Sequence, residues 1–332
     1  MNAIRIQSPT RVDLAGGTLD LWPLFLFVKG AKTVNVAIDI WTRAEILPAN
    51  DATITLESAD LNLKQTYKGL QECLEDSDPR LHLLQVQMKY WKPTKGFHLK
   101  TSSESPVGGG LGGSSSLTIS LLRAFEKFCE RPLNSTHQLV QLAHNIEAEV
   151  LNTPTGTQDY YPAASGGLNI LSYGYDGIDQ QVRSVVDSPL ASHFMLVYTG
   201  RSHHSGLNNF EVLKGAIGKD ANTLRALLDL KKISDEMVKA CTHEKWSELP
   251  RLFRDEFEAR VRLAPAFSCP EIVELNQLAL REGAEAVKIC GAGGGGCVLV
   301  WVWPAHRERV GLACQKAGFK VLSAKPVDLK ST

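Results

Sequence analysis

Residues 106–116 read Pro-Val-Gly-Gly-Gly-Leu-Gly-Gly-Ser-Ser-Ser, and they constrain this chain more than any other segment. An alternating stretch, Phe97-His98-Leu99-Lys100-Thr101, precedes them. Apolar residues at helical spacing follow: Leu117, Leu121, Leu122, Phe125 and Phe128. The pattern predicts a strand, a glycine-rich loop, and a helix opening at the serines. Five glycines in six positions are costly to order. They let backbone N–H groups approach an anion, and a helix N-terminus adds free donors and a positive dipole end. A nucleotide phosphate is the ligand to consider first.

Two common phosphate loops do not match. Gly108 to Ser114 lacks the lysine with which a P-loop reaches the β- and γ-phosphates. Gly108-x-Gly110-x-x-Gly113 fits the dinucleotide pattern, but the acid expected at the end of a second strand about 20 residues on is not there. Residues 128–132, Phe-Cys-Glu-Arg-Pro, read instead as a helix end running into a turn.

The chain has 332 residues, 43% of them hydrophobic and 22% charged, the balance of a soluble globular enzyme. Its formal net charge is zero, so no global field recruits nucleic acid or an anionic membrane. No apolar run reaches membrane-spanning length, and no signal-peptide core is seen. Seven cysteines without a CxxC pair point to reduced thiols in a cytoplasm.

Strand-like segments come first: residues 3–7, 33–40, 42–47 and 53–58. A helix near 81–91, the Phe97 strand, the glycine loop and its helix follow. A second helix over 135–151 carries Leu139, Leu142, Ala143, Ile146 and Val150 at a 3.6 period, with Asn134 or Ser135 as cap. After about residue 175 the composition turns polar and turn-rich through Pro189, and a strand starts at Phe194. Helical patterns then dominate to Leu263 and from Pro270 to Arg281. A strand, the run Gly291-Ala292-Gly293-Gly294-Gly295-Gly296, a second strand, a helix and a last strand close the chain. We read this as α+β, two domains, with a boundary near 180: an ATP-binding domain over 1–180 and a second domain over 181–332.

Three further segments hold candidate chemistry. Arg11 to Asp20 reads as a short strand into a glycine turn with an acid at its end. Residues 155–161, Thr-Gly-Thr-Gln-Asp-Tyr-Tyr, place Asp159 in a crowded loop. Helix 135–151 supplies Glu147 and Glu149, which fall on opposite edges of its apolar stripe, so periodicity leaves both open. Each of these acids has a plainer reading as a turn or surface residue. His203-His204 reads as a polar loop facing solvent. Arg201, Arg251, Arg254, Arg260 and Arg262 either serve a substrate phosphate or form a solvated helix face.

Together these segments resemble the GHMP kinase family of galactokinase, homoserine kinase, mevalonate kinase and phosphomevalonate kinase. Residues 11–20 resemble the N-terminal motif of its sugar kinases, residues 106–116 its P-x-G-x-G-L-G-S-S ATP loop, and residues 288–296 its C-terminal glycine motif. Residues 156–161 and 166–167 look most like D-glycero-D-manno-heptose 7-phosphate kinases and their fucokinase relatives. The resemblance implies a ribosomal protein S5 domain 2-like N-terminal domain and a ferredoxin-like C-terminal domain, with the site between them. It implies ATP and Mg²⁺ as cofactors, a small-molecule sugar substrate with no nucleic acid or membrane partner, and a monomer or homodimer.

Carried over residue by residue, the resemblance makes Asp159 the catalytic base and Arg11 its neighbour. Pro106, Gly108, Gly109, Gly110, Leu111, Gly112, Gly113, Ser114 and Ser115 hold the nucleotide. Ser114 and Glu147 hold the metal. Asp20, Gly17, Thr18, Gly293 and Gly294 bind substrate. Gly113 stands where the family has the first serine of its pair, so Ser115 is an alternative to Ser114. Gly17 and Thr18 replace the Glu-His of galactokinases, which argues against galactose. An acid at position 20 suits polyols better than the carboxylates of homoserine or mevalonate. The expected reaction is phosphorylation of a sugar or sugar phosphate at the anomeric hydroxyl. The alternatives are a mevalonate- or homoserine-type kinase and a non-catalytic nucleotide and sugar sensor.

Overall fold

Apolar and β-branched residues dominate Lys32–Pro48, broken only singly by Asn35, Asp39, Arg43 and Glu45, and the span forms one strand of 17 residues. The sequence suggests two strands here. The partner explains the difference: β1 (Ile4–Ala15) pairs antiparallel along nearly the whole of β2 (Lys32–Pro48), and a register shift at Pro9/Thr10 absorbs the irregularity between the halves. The computed structural model describes residues 2–186, 188–202, 205–264, 267–291 and 293–329. His203 and His204 lie outside the described residues.

Such a strand can organise a whole sheet. Added to it are β3 (Ile54–Ser58), β4 (Leu63–Tyr67), β5 (Phe97–Ser103), β6 (Leu168–Gly174) and β7 (Gly177–Arg183). Residues 34–36 of β2 lie between β1 and β6, and residues 42–46 lie between β1 and β5. The order β4-β3-β5-β2-β6-β7, with β1 on β2, makes seven strands. The polar stretch after residue 175 contains β7, which the sequence reading leaves as turns. An edge strand with little buried surface has no apolar alternation to announce it. Helix Gly113–Phe128 packs across β1 and β2. Phe125 and Phe128 meet Phe97 edge-on, at 5.6 and 5.2 Å between centroids.

The second sheet holds β8 (Phe194–Tyr198), β9 (Ala284–Ile289), β10 (Cys297–Val302) and β11 (Lys320–Leu322). Its antiparallel order is β11-β8-β10-β9, the arrangement of a ferredoxin-like unit. Ile272 and Leu275 of helix Pro270–Arg281 and Val310 of helix Pro304–Lys316 share a core with Val287, Val298 and Val300. Between β8 and β9 run helices Ala221–Thr242 and Leu249–Leu263. The first reaches back to β2, where Ser234 Oγ donates to the Lys32 carbonyl at 2.7 Å and Asp235 pairs with Lys32 at 2.8 Å. The chain end returns as well, with Val327 N–H on the Ala37 carbonyl at 3.0 Å. Among the described residues no helix is long and apolar enough to cross a membrane.

One buried polar cluster joins the two sheets. Asp13 of β1 accepts from Arg260 and from Lys288 of β9, each at 3.2 Å. Glu256 accepts from Arg260 at 2.7 Å and lies 3.4 Å from Lys288. All four side chains are at most 1% exposed. Burial opposes the Asp13 carboxylate, and Lys288 and Arg260 overcome it, holding its pKa below the ordinary 3.8. Removing one member of such a set leaves a buried charge without its counterion. Lys288→Ala is therefore expected to lower the unfolding free energy by about 3–5 kcal/mol. Arg251→Ala, whose carboxylate partners Glu236 and Asp255 sit at the surface, is expected to leave the urea midpoint almost unmoved.

Candidate active site

The glycine loop takes its shape from alternating backbone handedness. Gly108, Gly110 and Gly112 have φ of +63°, +72° and +67°, a region that L side chains rarely adopt. Gly112 precedes helix Gly113–Phe128, so the helix opens one residue before the serines, and no side chain caps it. Its first amides are left for a ligand. From β1, Arg11 anchors the loop: its N–H donates to the Leu111 carbonyl at 3.0 Å and Nη1 to the Gly110 carbonyl at 2.6 Å.

The same arginine holds Asp159. Nε and Nη2 both reach Oδ1 at 2.7 Å. Oδ2 faces Gly112, where an added Cβ would come within 3.1 Å of it. Burial disfavours the Arg11 guanidinium, yet Asp159 and Asp13 raise its pKa above its ordinary value. Asp159 therefore keeps one oxygen fixed and turns the other toward the glycine loop.

Helix Thr136–Leu151, capped by Ser135 on the Gln138 amide at 3.1 Å, brings in Glu147. Glu147 is 4% exposed, whereas Glu149 faces solvent. Glu147 Oε2 accepts from Ser115 Oγ at 2.7 Å and from Tyr160 OH at 2.6 Å. Burial pushes its pKa up against those bonds. Ser115 is buried and makes the 2.7 Å bond to the carboxylate, and the exposed Ser114 hydroxyl beside it also favours the ionised form.

Asp20 ends the turn that follows β1. It is 3% exposed and accepts from the Gln158 N–H at 3.1 Å. Burial first, and Asp159 beside it, push its pKa up to about 6. Gly156 lies directly over the carboxylate, and a Cβ there would collide with it.

Arg11, Gly17, Thr18, Asp20, Glu147, Asp159 and the loop from Pro106 to Ser115 line one cleft of about 380 Å³. Gly293 and Gly294 do not reach it. They pack on the backbone of Phe267, and Gly294 N–H donates to its carbonyl at 2.8 Å. Gly291 lines the cleft in their place, with its loop tied to the glycine cradle through Cys297 N–H on the Gly109 carbonyl at 2.8 Å. Ala292 lies outside the described residues.

The basic residues do not form one patch. Arg201 pairs with Glu271, Arg251 with Glu236 and Asp255, and Arg262 with Asp229, all at the surface. Arg260 alone of that group is buried and lines the cleft. In the sequence it stands only as one member of that basic group. The signal was present: Glu256 and Arg260 stand four residues apart inside the apolar stripe of Leu252, Phe253, Ala259 and Leu263.

The family model described as GHMP kinases N terminal domain matches residues 80–167, and the one described as GHMP kinases C terminal matches residues 237–320. Together they span more than half of the chain. The D-glycero-alpha-D-manno-heptose 7-phosphate kinase of Campylobacter jejuni is 27% identical over 326 residues, 95% of this chain and 94% of that one. The mevalonate kinase of Methanocaldococcus jannaschii is 24% identical over 310 residues, 90% of this chain and 91% of that one. A solved D-glycero-D-manno-heptose 1-phosphate kinase from Bacteriodes thetaiotaomicron superposes with a TM-score of 0.78 at 22% identity, covering 98% of this chain and 97% of that one. The Methanococcus jannaschii mevalonate kinase gives 0.77 at 22%, covering 98% and 99%. These likenesses show the two-domain fold that the resemblance implies.

Asp20 generates a stability prediction. The folded chain keeps its proton up to about pH 6, while the unfolded chain releases it near the ordinary 3.8. This group therefore costs the fold stability as pH rises from about 4 to about 6, and the loss persists above. Asp20→Asn removes the buried charge and is expected to raise stability at pH 7.5 by up to about 3 kcal/mol. Denaturant titrations should show no gain below pH 4.

Proposed function

We propose, from the premise that the chain belongs to the GHMP kinase family and is an ATP-dependent kinase, that it phosphorylates a sugar or sugar phosphate at the anomeric hydroxyl. The observation that carries this is the buried Asp20 carboxylate in the same cleft as Asp159 and the glycine cradle. A carboxylate accepts hydrogen bonds from two neighbouring hydroxyls of a polyol, and it repels the carboxylate of an acidic acceptor. The 27% identity with a heptose 7-phosphate kinase supports the same substrate class. A cytoplasmic setting and a working division near residue 180 belong to this proposal.

Phosphoryl transfer is mostly positioning and charge stabilisation. Gly108 to Ser115 hold the triphosphate through backbone amides and the uncapped helix start. Asp159 Oδ2 accepts the proton of the attacking hydroxyl, while Arg11 keeps Oδ1 engaged and the carboxylate aimed. Glu147 and the hydroxyls of Ser114 and Ser115 are a hard oxygen set at the cradle, which fits Mg²⁺. When bound there, the ion offsets charge on the β- and γ-phosphates where a P-loop would use lysine.

Asp159→Asn is expected to lower kcat by about 10²–10⁴-fold with ATP affinity nearly unchanged. ADP release is the readout, over heptose 7-phosphate, mannose, fucose, galactose, glucuronate, mevalonate and homoserine. Turnover of one sugar, lost in Asp159→Asn, supports the reading. Turnover of mevalonate alone moves the chain to an isoprenoid acceptor, and ATP binding without turnover of any acceptor overturns the kinase reading of the site.

A further inference from the structure

Arg260 uses its whole fork. Nε and Nη2 bond Glu256 Oε1 at 2.9 and 2.7 Å, and Nη2 also meets Asp13 Oδ2 at 3.2 Å. These two carboxylates fix the plane of the guanidinium. The cleft wall takes the rest: the two Nη1 hydrogens go to Thr18 Oγ1 at 3.4 Å and the Gly291 carbonyl at 3.2 Å, and Nη2 shares its hydrogens with the Gly17 carbonyl at 3.1 Å. One side chain from the second domain thus grips the turn that carries Asp20 and the loop that abuts the glycine cradle.

That turn needs holding. Gly16 and Thr18 have φ of +87° and +80°, and Thr18 is β-branched, so its backbone sits in a region it disfavours. Only two bonds internal to the turn, Leu19 N–H to the Gly16 carbonyl at 3.0 Å and Leu21 N–H to the Thr18 carbonyl at 3.2 Å, support it. Gly17 leaves no room for a Cβ, because Asp13 Oδ2 and Arg260 Nη2 already occupy that space.

Resting on the sugar-kinase reading, we infer that Arg260 is a positioning residue for the acceptor: its fork sets the 16–20 turn and so fixes where Asp20 meets the substrate. Lys288 shows that charge balance and positioning are separate duties. It shares Asp13 and Glu256 with Arg260, but its one other bond is to its neighbour's carbonyl, Ile289, and not to the turn. A lysine at 260 would keep two cations against two anions, but a point-like ammonium cannot grip Glu256, Gly17, Thr18 and Gly291 together.

The test is Arg260→Lys, read by amide hydrogen exchange, ATP affinity and acceptor kinetics. Exchange at residues 16–21 should rise about tenfold or more, with residues 106–116 unchanged. ATP affinity should stay within about twofold, and the acceptor KM should rise about tenfold or more. Wild-type exchange at 16–21, or equal loosening of 16–21 and 106–116, overturns the inference. If Arg260→Lys does not fold, Glu256→Gln weakens the anchor without touching the turn. It should speed exchange at 16–21 more than at 106–116, and unchanged exchange at 16–21, or equal loosening of both segments, overturns the inference. The exchange readout needs no acceptor, so a wild-type protein inactive on every sugar defeats the substrate reading and leaves this test intact.

Discussion

Four ionised side chains, each at most 1% exposed, hold the two sheets of this protein together, and none can be removed without stranding another. The constraint reaches the site through the period of a strand. Residues two apart on a strand share a face, so Arg11 and Asp13 of β1 point the same way. Arg11 fixes Asp159 and the glycine loop, while Asp13 fixes Arg260 and Lys288. Asp159 and the joint between the two sheets thus hang from alternate positions of one strand, and the 17-residue β2 beside it gives that strand nearly unbroken pairing.

The loop after β9 also meets the glycine loop directly. Gly291 lies against Gly110, and Cys297 N–H bonds the Gly109 carbonyl, so the second domain already touches the cradle. Glycine is needed where these backbones meet: a Cβ at Gly291, with φ of +63°, would fall 2.9 Å from the Gly110 backbone. This backbone contact fixes the position of the glycine loop against the second sheet.

Legibility in the sequence followed locality. The strand, loop and helix around 97–128 are written in turn chemistry and in one helical period, so their arrangement is readable from neighbours alone. The cap at Ser135 is local in the same way. Glu147 and Glu149 could not be separated by periodicity, because what distinguishes them is Ser115 and Tyr160, brought in from other elements. For Arg260 the choice between a substrate site and a solvated face stays open in the sequence: Glu256 four residues away is local, but Asp13 and Gly17 lie more than 240 residues off. Gly293 and Gly294 were grouped with the cleft by motif, whereas only the fold shows that Phe267 takes them and Gly291 takes the cleft.

Asp20 is the residue at which stability and chemistry oppose each other. An acid at 3% exposure, with one backbone donor and a second carboxylate nearby, is a poor choice for a core. The chain nevertheless builds around it: Gly156 stays bare so that the carboxylate fits, Gln158 turns its amide inward, and Arg260 grips the strained turn that presents it. A group whose burial is unfavourable in the free protein gains most from a ligand that brings hydrogen-bond donors to it. Two adjacent hydroxyls supply donors without adding charge. The energetic deficit at Asp20 therefore supports the polyol acceptor proposed above, and Gly156, Gln158 and Arg260 keep that deficit in place.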